Sequence, residues 1–197
     1  MQSASPAPAP PPAPETISTP APFPSPPSRP RIQFSAAFRY AVALDTGPSQ
    51  PGLLAALDAR LYRRLYLTVG GGVEGESVAP AGGGSVTLRR VPLRLGLAYE
   101  QPIPSGALRF TLGAFVALWT AFTDGIARPD SAIAIDPGAF ASIAYHLRLG
   151  RAVDLFAGVD VEYAAVSESF TVDGIGPVAS TPSWWVCPFA GASLNFF

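Results

Sequence analysis

The side chains able to do chemistry are few. Asp160 and Glu162 stand two residues apart, a spacing that puts both carboxylates on one face of a strand, where they would suit acid–base work or the pairing of arginines. The single histidine, His146, precedes Arg148 by two residues, and the single cysteine, Cys187, has no partner for an internal disulfide. One His and one Cys without clustered carboxylates make no metal-ligand set, so neither a metal nor a cofactor is expected. Gly70-Gly71-Gly72 and Gly82-Gly83-Gly84 are not phosphate loops, because neither leads into a helix or a Lys-Ser/Thr pair. No catalytic constellation is expected. The charges instead recur on one parity of alternating segments: Arg39, Asp58, Arg60, Glu74, Arg94, Arg109, His146, Arg148, Asp154, Asp160 and Glu162. Mutual pairing is the reading favoured for them all.

The composition says where such a face belongs. Only 14% of residues are charged and 48% are hydrophobic, against about 25% charged in an ordinary soluble domain. Lysine is absent, and all 13 basic residues are arginine. A net charge of -1 without a basic cluster in sequence argues against nucleic acid as a partner. No run approaches the ~20 apolar residues of a spanning helix, so a membrane could be crossed only by strands. Residues 1–31 hold about half of the 23 prolines, interleaved with Ala, Ser and Thr. Such a segment is expected to be a disordered, polyproline-like tether. Met1 is followed by neither the basic nor the apolar region of a signal peptide, so export would need a signal upstream.

From Arg31 onward apolar residues fall on every second position, the pattern of strands with unlike faces. Strands are expected at 32–44, 53–62, 65–74, 86–100, 106–122, 139–148, 153–163 and 184–197. In the fourth, Val86 and Leu88 are even-numbered whereas Val91, Leu93, Leu95, Leu97 and Tyr99 are odd, which predicts a β-bulge at Arg89-Arg90. Pro92, Pro137 and Pro188 lack an N–H and are expected at bulges or strand ends. Connections at 45–52, 76–84, 123–131 and 168–183 read as long loops, and those at 62–64, 101–106 and 149–152 as tight turns. The fold class that follows is all-β: a closed antiparallel up-and-down eight-stranded transmembrane β-barrel over 32–197, with a disordered Pro-rich N-terminal segment over 1–31. Both termini fall at the tight-turn rim.

The less oily face carries Gly, Ala, Ser, Phe and Trp between its charges. It suits the interior of a narrow barrel better than a water-facing surface. On the oily face, Phe34, Tyr99, Phe110, Tyr145 and Phe196 fall toward the tight-turn rim, and Tyr40, Phe122, Tyr163 and Trp184 toward the other. Two aromatic girdles flanking a Leu, Val and Ala band are what two membrane interfaces select.

Over residues 32–197 the chain resembles the small eight-stranded outer-membrane barrels of bacteria, on strand pattern, loop asymmetry and the terminal Leu194-Asn195-Phe196-Phe197. Such barrels commonly end in a Phe read by the outer-membrane insertion machinery. Here Phe196, not Phe197, is in phase with Leu194, Ala192 and Val186. The resemblance implies a bacterial outer membrane, its lipid as surroundings, and the insertion machinery as a partner of the last strand. It also implies a periplasmic N-terminus, where residues 1–31 would meet cell wall or a periplasmic protein. Outer-membrane lipid A deacylases have a similar architecture and use a His and a Ser two residues apart, with a carboxylate, on the lipid-facing surface. Here Arg148 stands at that spacing and His146 points inward. The expected role is non-enzymatic: a structural anchor with a side-chain-plugged lumen. The alternatives are a narrow channel or carrier for small hydrophobic solutes and, behind it, a lipid-modifying enzyme, which would need His146 or Ser142.

Overall fold

The computed structural model describes residues 31–45, 49–81, 84–124, 131–167, 169–172 and 176–196; the expected tether lies outside them apart from Arg31. The strands are β1 (Ile32–Ala43), β2 (Gln50–Tyr62), β3 (Leu65–Ala81), β4 (Gly84–Ile103), β5 (Gly106–Asp124), β6 (Ser131–Arg148), β7 (Val153–Ala164), β8 (Ser169–Val172), β9 (Gly176–Ser180) and β10 (Trp184–Phe196). Eight close into an antiparallel barrel in the order β1-β10-β7-β6-β5-β4-β3-β2, and β8 with β9 forms a separate two-stranded ribbon. Closure leaves no sheet edge along the membrane-facing wall, which is what a strand structure in lipid requires.

The register fixes the geometry. The pairs Trp184–Tyr163, Tyr163–Ala139, Ala139–Ala114, Ala114–Leu95, Leu95–Val69, Val69–Leu57, Leu57–Phe34 and Phe34–Leu194 run once around the wall. The circuit leaves β10 at Trp184 and returns at Leu194, a stagger of ten residues (194 − 184). Eight strands with that stagger tilt by ~40° and leave a bore that side chains can fill. At ~2.5 Å of height per tilted residue, Trp184 and Phe196 at the two ends of β10 stand ~30 Å apart, about one hydrocarbon core.

Among the described residues side chains alternate in and out on every barrel strand, and β1, β3, β5, β6, β7 and β10 keep the expected phase. Four features differ from expectation. First, 76–84 and 123–131 are mostly strand: β3 and β4 continue to Ala81 and from Gly84, and β5 and β6 to Asp124 and from Ser131. β3 to β6 therefore have 17 to 20 residues where β1, β2, β7 and β10 have 12 or 13, and half of the wall stands taller at the rim of the longer connections.

Second, β4 pairs with β5 without a slip from Ser85–Asp124 to Ile103–Gly106, so no bulge sits at Arg89-Arg90. Val86, Leu88 and Arg90 all face inward; above the lipid the polarity reverses, apolar inside and Arg89 outside, while the phase holds. The extra residue is in β3 instead, between Glu74 and Ser77. Third, the connection after β7 carries the β8–β9 ribbon rather than loop alone. Fourth, a register shift after Arg60 turns Tyr62, read as inward, out to the surface.

The prolines lie inside strands, each at an interruption of one of its two ladders. β1–β10 pairing is broken between Arg39–Phe189 and Val42–Val186, at Pro188. The β3–β4 ladder is broken between Gly71–Leu93 and Glu74–Arg90, at Pro92. β6–β7 pairing ends at Gly138–Ala164, and the Pro137 carbonyl accepts the Ala165 N–H at 2.8 Å. A proline costs least where the ladder asks for no donor.

Candidate functional site

The lumen is where the buried charged side chains of the described residues converge. Toward the taller rim, Arg39 (β1), Glu74 (β3), Arg90 (β4) and Glu162 (β7) form a ring of alternating charge, each with its side chain fully buried. Arg39 reaches Glu162 at 2.8 Å and Glu74 at 3.2 Å. Arg90 gives one nitrogen to both oxygens of Glu74 at 3.0 and 3.1 Å and another to Glu162 at 2.9 Å. The Arg90 guanidinium also lies over Phe115, Trp119 and Trp185, 5.2 to 5.8 Å from the ring centres, where cation–π attraction adds to the ion pairs. Arg39 donates to the Cys187 sulfur at 2.7 Å.

Val86, Leu88, Phe115, Trp119, Trp185 and Phe170 of the ribbon join in one buried apolar core beside the ring. Just below, Arg94 pairs with Asp160 at 2.8 Å and stacks on Phe140. Two elementary costs explain the arrangement: a buried charge must be paired, and the paired charges must be shielded from water to hold their geometry.

A second cluster closes the tight-turn end. Arg109 pairs with Asp58 at 2.6 Å and donates to Gln33 at 2.7 Å. Gln33 in turn donates to Ser193 at 2.8 Å and Asn195 at 2.9 Å. Thr68 donates to Asp58 at 2.6 Å, and Arg148 meets Glu100 at 3.0 Å. Between the clusters lies a cavity of about 100 Å³, bounded by Arg94 and Asp160 above and Arg109 and Asp58 below, with Ser142 and His146 in its wall. His146 is stacked on Phe156, 5.1 Å between centres.

Of the charges singled out in sequence, Arg39, Glu74, Arg94, Asp160 and Glu162 meet in the upper network, and Asp58 and Arg109 in the lower one. Asp154 is buried near Gln33, 3.4 Å away. Arg60 is half-buried at the tight-turn end, and Arg148 pairs there. Sequence reasoning passed over Arg90, a ring member, because the supposed bulge fell on it; carrying the inward phase back from Arg94 through Pro92 would have found it. It also left Glu100, on the inward parity of β4, out of the charge network. Gln33, Ser193 and Asn195 were missed because uncharged residues on the inward parity gave no signal of their own.

Outside, Phe34, Tyr99, Phe110 and Phe196 are exposed at the tight-turn end, and Tyr145 is half-buried with its hydroxyl donated to Ser105. Tyr40, Tyr163 and Trp184 are exposed toward the other end, with Tyr163 and Trp184 packed 4.7 Å apart. Phe122 also faces outward, but carried around the register it stands ~10 Å beyond Trp184. Leu53, Leu57, Val69, Leu93, Leu95 and Leu112 fill the band between, each half or more exposed. So apolar a surface is a lipid-facing one. Among the described residues no group of three or more His, Cys, Asp or Glu could hold a metal ion.

No protein-family model matches the chain, and no curated protein does. Solved structures do. Neisserial surface protein A superposes with a TM-score of 0.55 at 16% identity, over 84% of this chain and 96% of that one. A major outer membrane protein from Thermus thermophilus gives 0.58 at 13%, over 83% and 99%. The fold is that of the small outer-membrane β-barrels. A third barrel of this kind, the attachment invasion locus protein Ail of Yersinia pestis, whose structure holds a heparin analogue, matches at 0.53 and 10%, over 84% and 96%. With identities this low, what this outer-membrane-type barrel shares with them is backbone architecture.

Proposed function

We propose that the protein is a non-enzymatic barrel of the bacterial outer membrane, closed to solutes, that holds its Pro-rich N-terminal segment at the periplasmic face. The observation that carries the reading is the buried Arg39–Glu74–Arg90–Glu162 ring, which draws charges from β1, β3, β4 and β7 across the bore. A second seal at Arg109, Asp58 and Gln33 backs it. β1 starts at the rim of the tight turns, where Arg31 N–H donates to the Phe196 carbonyl at 2.8 Å, so residues 1–31 leave from that rim. In barrels with short periplasmic turns and longer outer connections, that rim is the periplasmic one. The segment would there reach cell wall or a periplasmic protein, and the last strand, with Phe196 outward, would be what the insertion machinery reads.

Against carriage of hydrophobic solutes stand the ion pairs that bound the cavity, Arg94 with Asp160 and Arg109 with Asp58. Planar-bilayer recording on the folded protein tests the closure. No conductance steps above the bare membrane are expected; steady channel openings would refute the plug.

A further inference from the structure

The tight-turn rim carries a cluster of exposed arginines. Arg31, Arg63 and Arg151 are exposed at the tight-turn rim and Arg64 is half-buried there, and among the described residues the carboxylates at that end, Asp58, Glu100 and Asp154, are buried in the lumen.

Arg31 and Arg64 are held through their backbone. Arg31 donates its N–H to Phe196 and accepts from Arg60 N–H at 2.8 Å, and the Arg64 carbonyl accepts from Glu100 N–H at 2.9 Å. The Arg64 guanidinium is held by Gln101 at 2.8 Å, which also takes the Tyr99 hydroxyl at 3.1 Å. Arg63 adopts a left-handed φ of 39° in its turn, a conformation that glycine or asparagine takes at less cost. Its guanidinium lies 5.4 Å over the Tyr62 ring. These groups sit just beyond the aromatics Phe34, Tyr99 and Phe196, at the level where a lipid-embedded barrel meets headgroups.

We propose that this rim binds the phosphates of anionic glycerophospholipids in the adjoining leaflet. The chemistry is specific to the group: guanidinium offers paired donors that match two phosphate oxygens, and every cation of the rim is arginine. Three of the four positions around the rim carry it: the start of β1, the β2–β3 turn and the β6–β7 turn. A phosphate-bearing lipid supplies both the anion and an acyl chain for the aromatic girdle, which a free phosphate does not. The proposal rests on the membrane reading above.

The test is electron spin resonance on the full chain inserted in phosphatidylcholine vesicles, with spin-labelled phosphatidylglycerol or phosphatidylcholine as probe. Phosphatidylglycerol should be immobilised several-fold in preference, and Arg31→Gln, Arg63→Gln, Arg64→Gln and Arg151→Gln together should abolish the preference. Arg89→Gln, outside the rim, should leave it unchanged, and so should added inorganic phosphate; loss of the preference on adding inorganic phosphate would mean that the rim takes the free anion. Equal immobilisation of both lipids by the inserted wild type would overturn the proposal, as would a preference that the quadruple variant keeps. Failure of the wild type to insert at all would overturn the membrane reading, and the proposal with it.

Discussion

Glu162 is the residue on which most of the lumen turns. It contacts Arg39, Arg90 and, at 3.5 Å, Arg94, all from one fully buried carboxylate. Removing one partner of a buried pair leaves the others uncompensated, at a cost of about 3–5 kcal/mol. Glu162→Gln is therefore expected to lower stability by about that amount in urea unfolding from lipid vesicles, followed by tryptophan fluorescence. Glu100→Gln, whose partner Arg148 keeps a quarter of its side chain in contact with solvent, should cost less than Glu162→Gln. Equal losses would mean that the ring is no tighter than the Arg148–Glu100 pair. Glu162, Arg39 and Glu74 were legible in the sequence because a charge on the less oily parity of a strand has nowhere to go but inward. Who pairs with whom was not: Arg39 and Glu162 are 123 positions apart, and only the register of the closed sheet brings them together.

At the scale of elements, the sequence carried the strand number, their phase and the tight turns, but not the reach of β3 to β6. Alternation there was read against lipid, in which the outward side is the oily one. Beyond the bilayer the outward side meets water and the apolar residues move inside, as Val86 and Leu88 do beside Arg89. A change of solvent thus looked like a change of phase. The inward glycines were also unreadable as a set: Gly96 and Gly113 pair across β4 and β5, and a Cβ at either would press on the Phe140 ring, at 3.1 and 2.7 Å. They make room for an aromatic plug that only the third dimension reveals. The tall hairpin is separable on this account. Replacing residues 79–86 by Asn-Gly, a favoured two-residue hairpin turn, joins Val78 to its register partner Thr87 and leaves ring and membrane band untouched. The shortened chain is expected to keep a heat-sensitive folded band on SDS gels; its loss would show that the protruding strands are needed for closure.

For the whole molecule, three facts converge on a membrane-embedded barrel: the wall closes on itself with a stagger of ten residues (194 − 184), its outward band is apolar between aromatic ends, and the charges that face the bore are paired there. A soluble barrel would invert the last two. The same reversal tells which measurement bears most directly on the account, because a closed barrel in lipid keeps its hydrogen-bonded wall in SDS until heated. The protein folded into detergent micelles and run on SDS gels with and without boiling is predicted to shift in mobility on heating, and to precipitate when detergent is withdrawn. An unchanged mobility, together with a protein soluble in plain buffer, would contradict a lipid-facing wall.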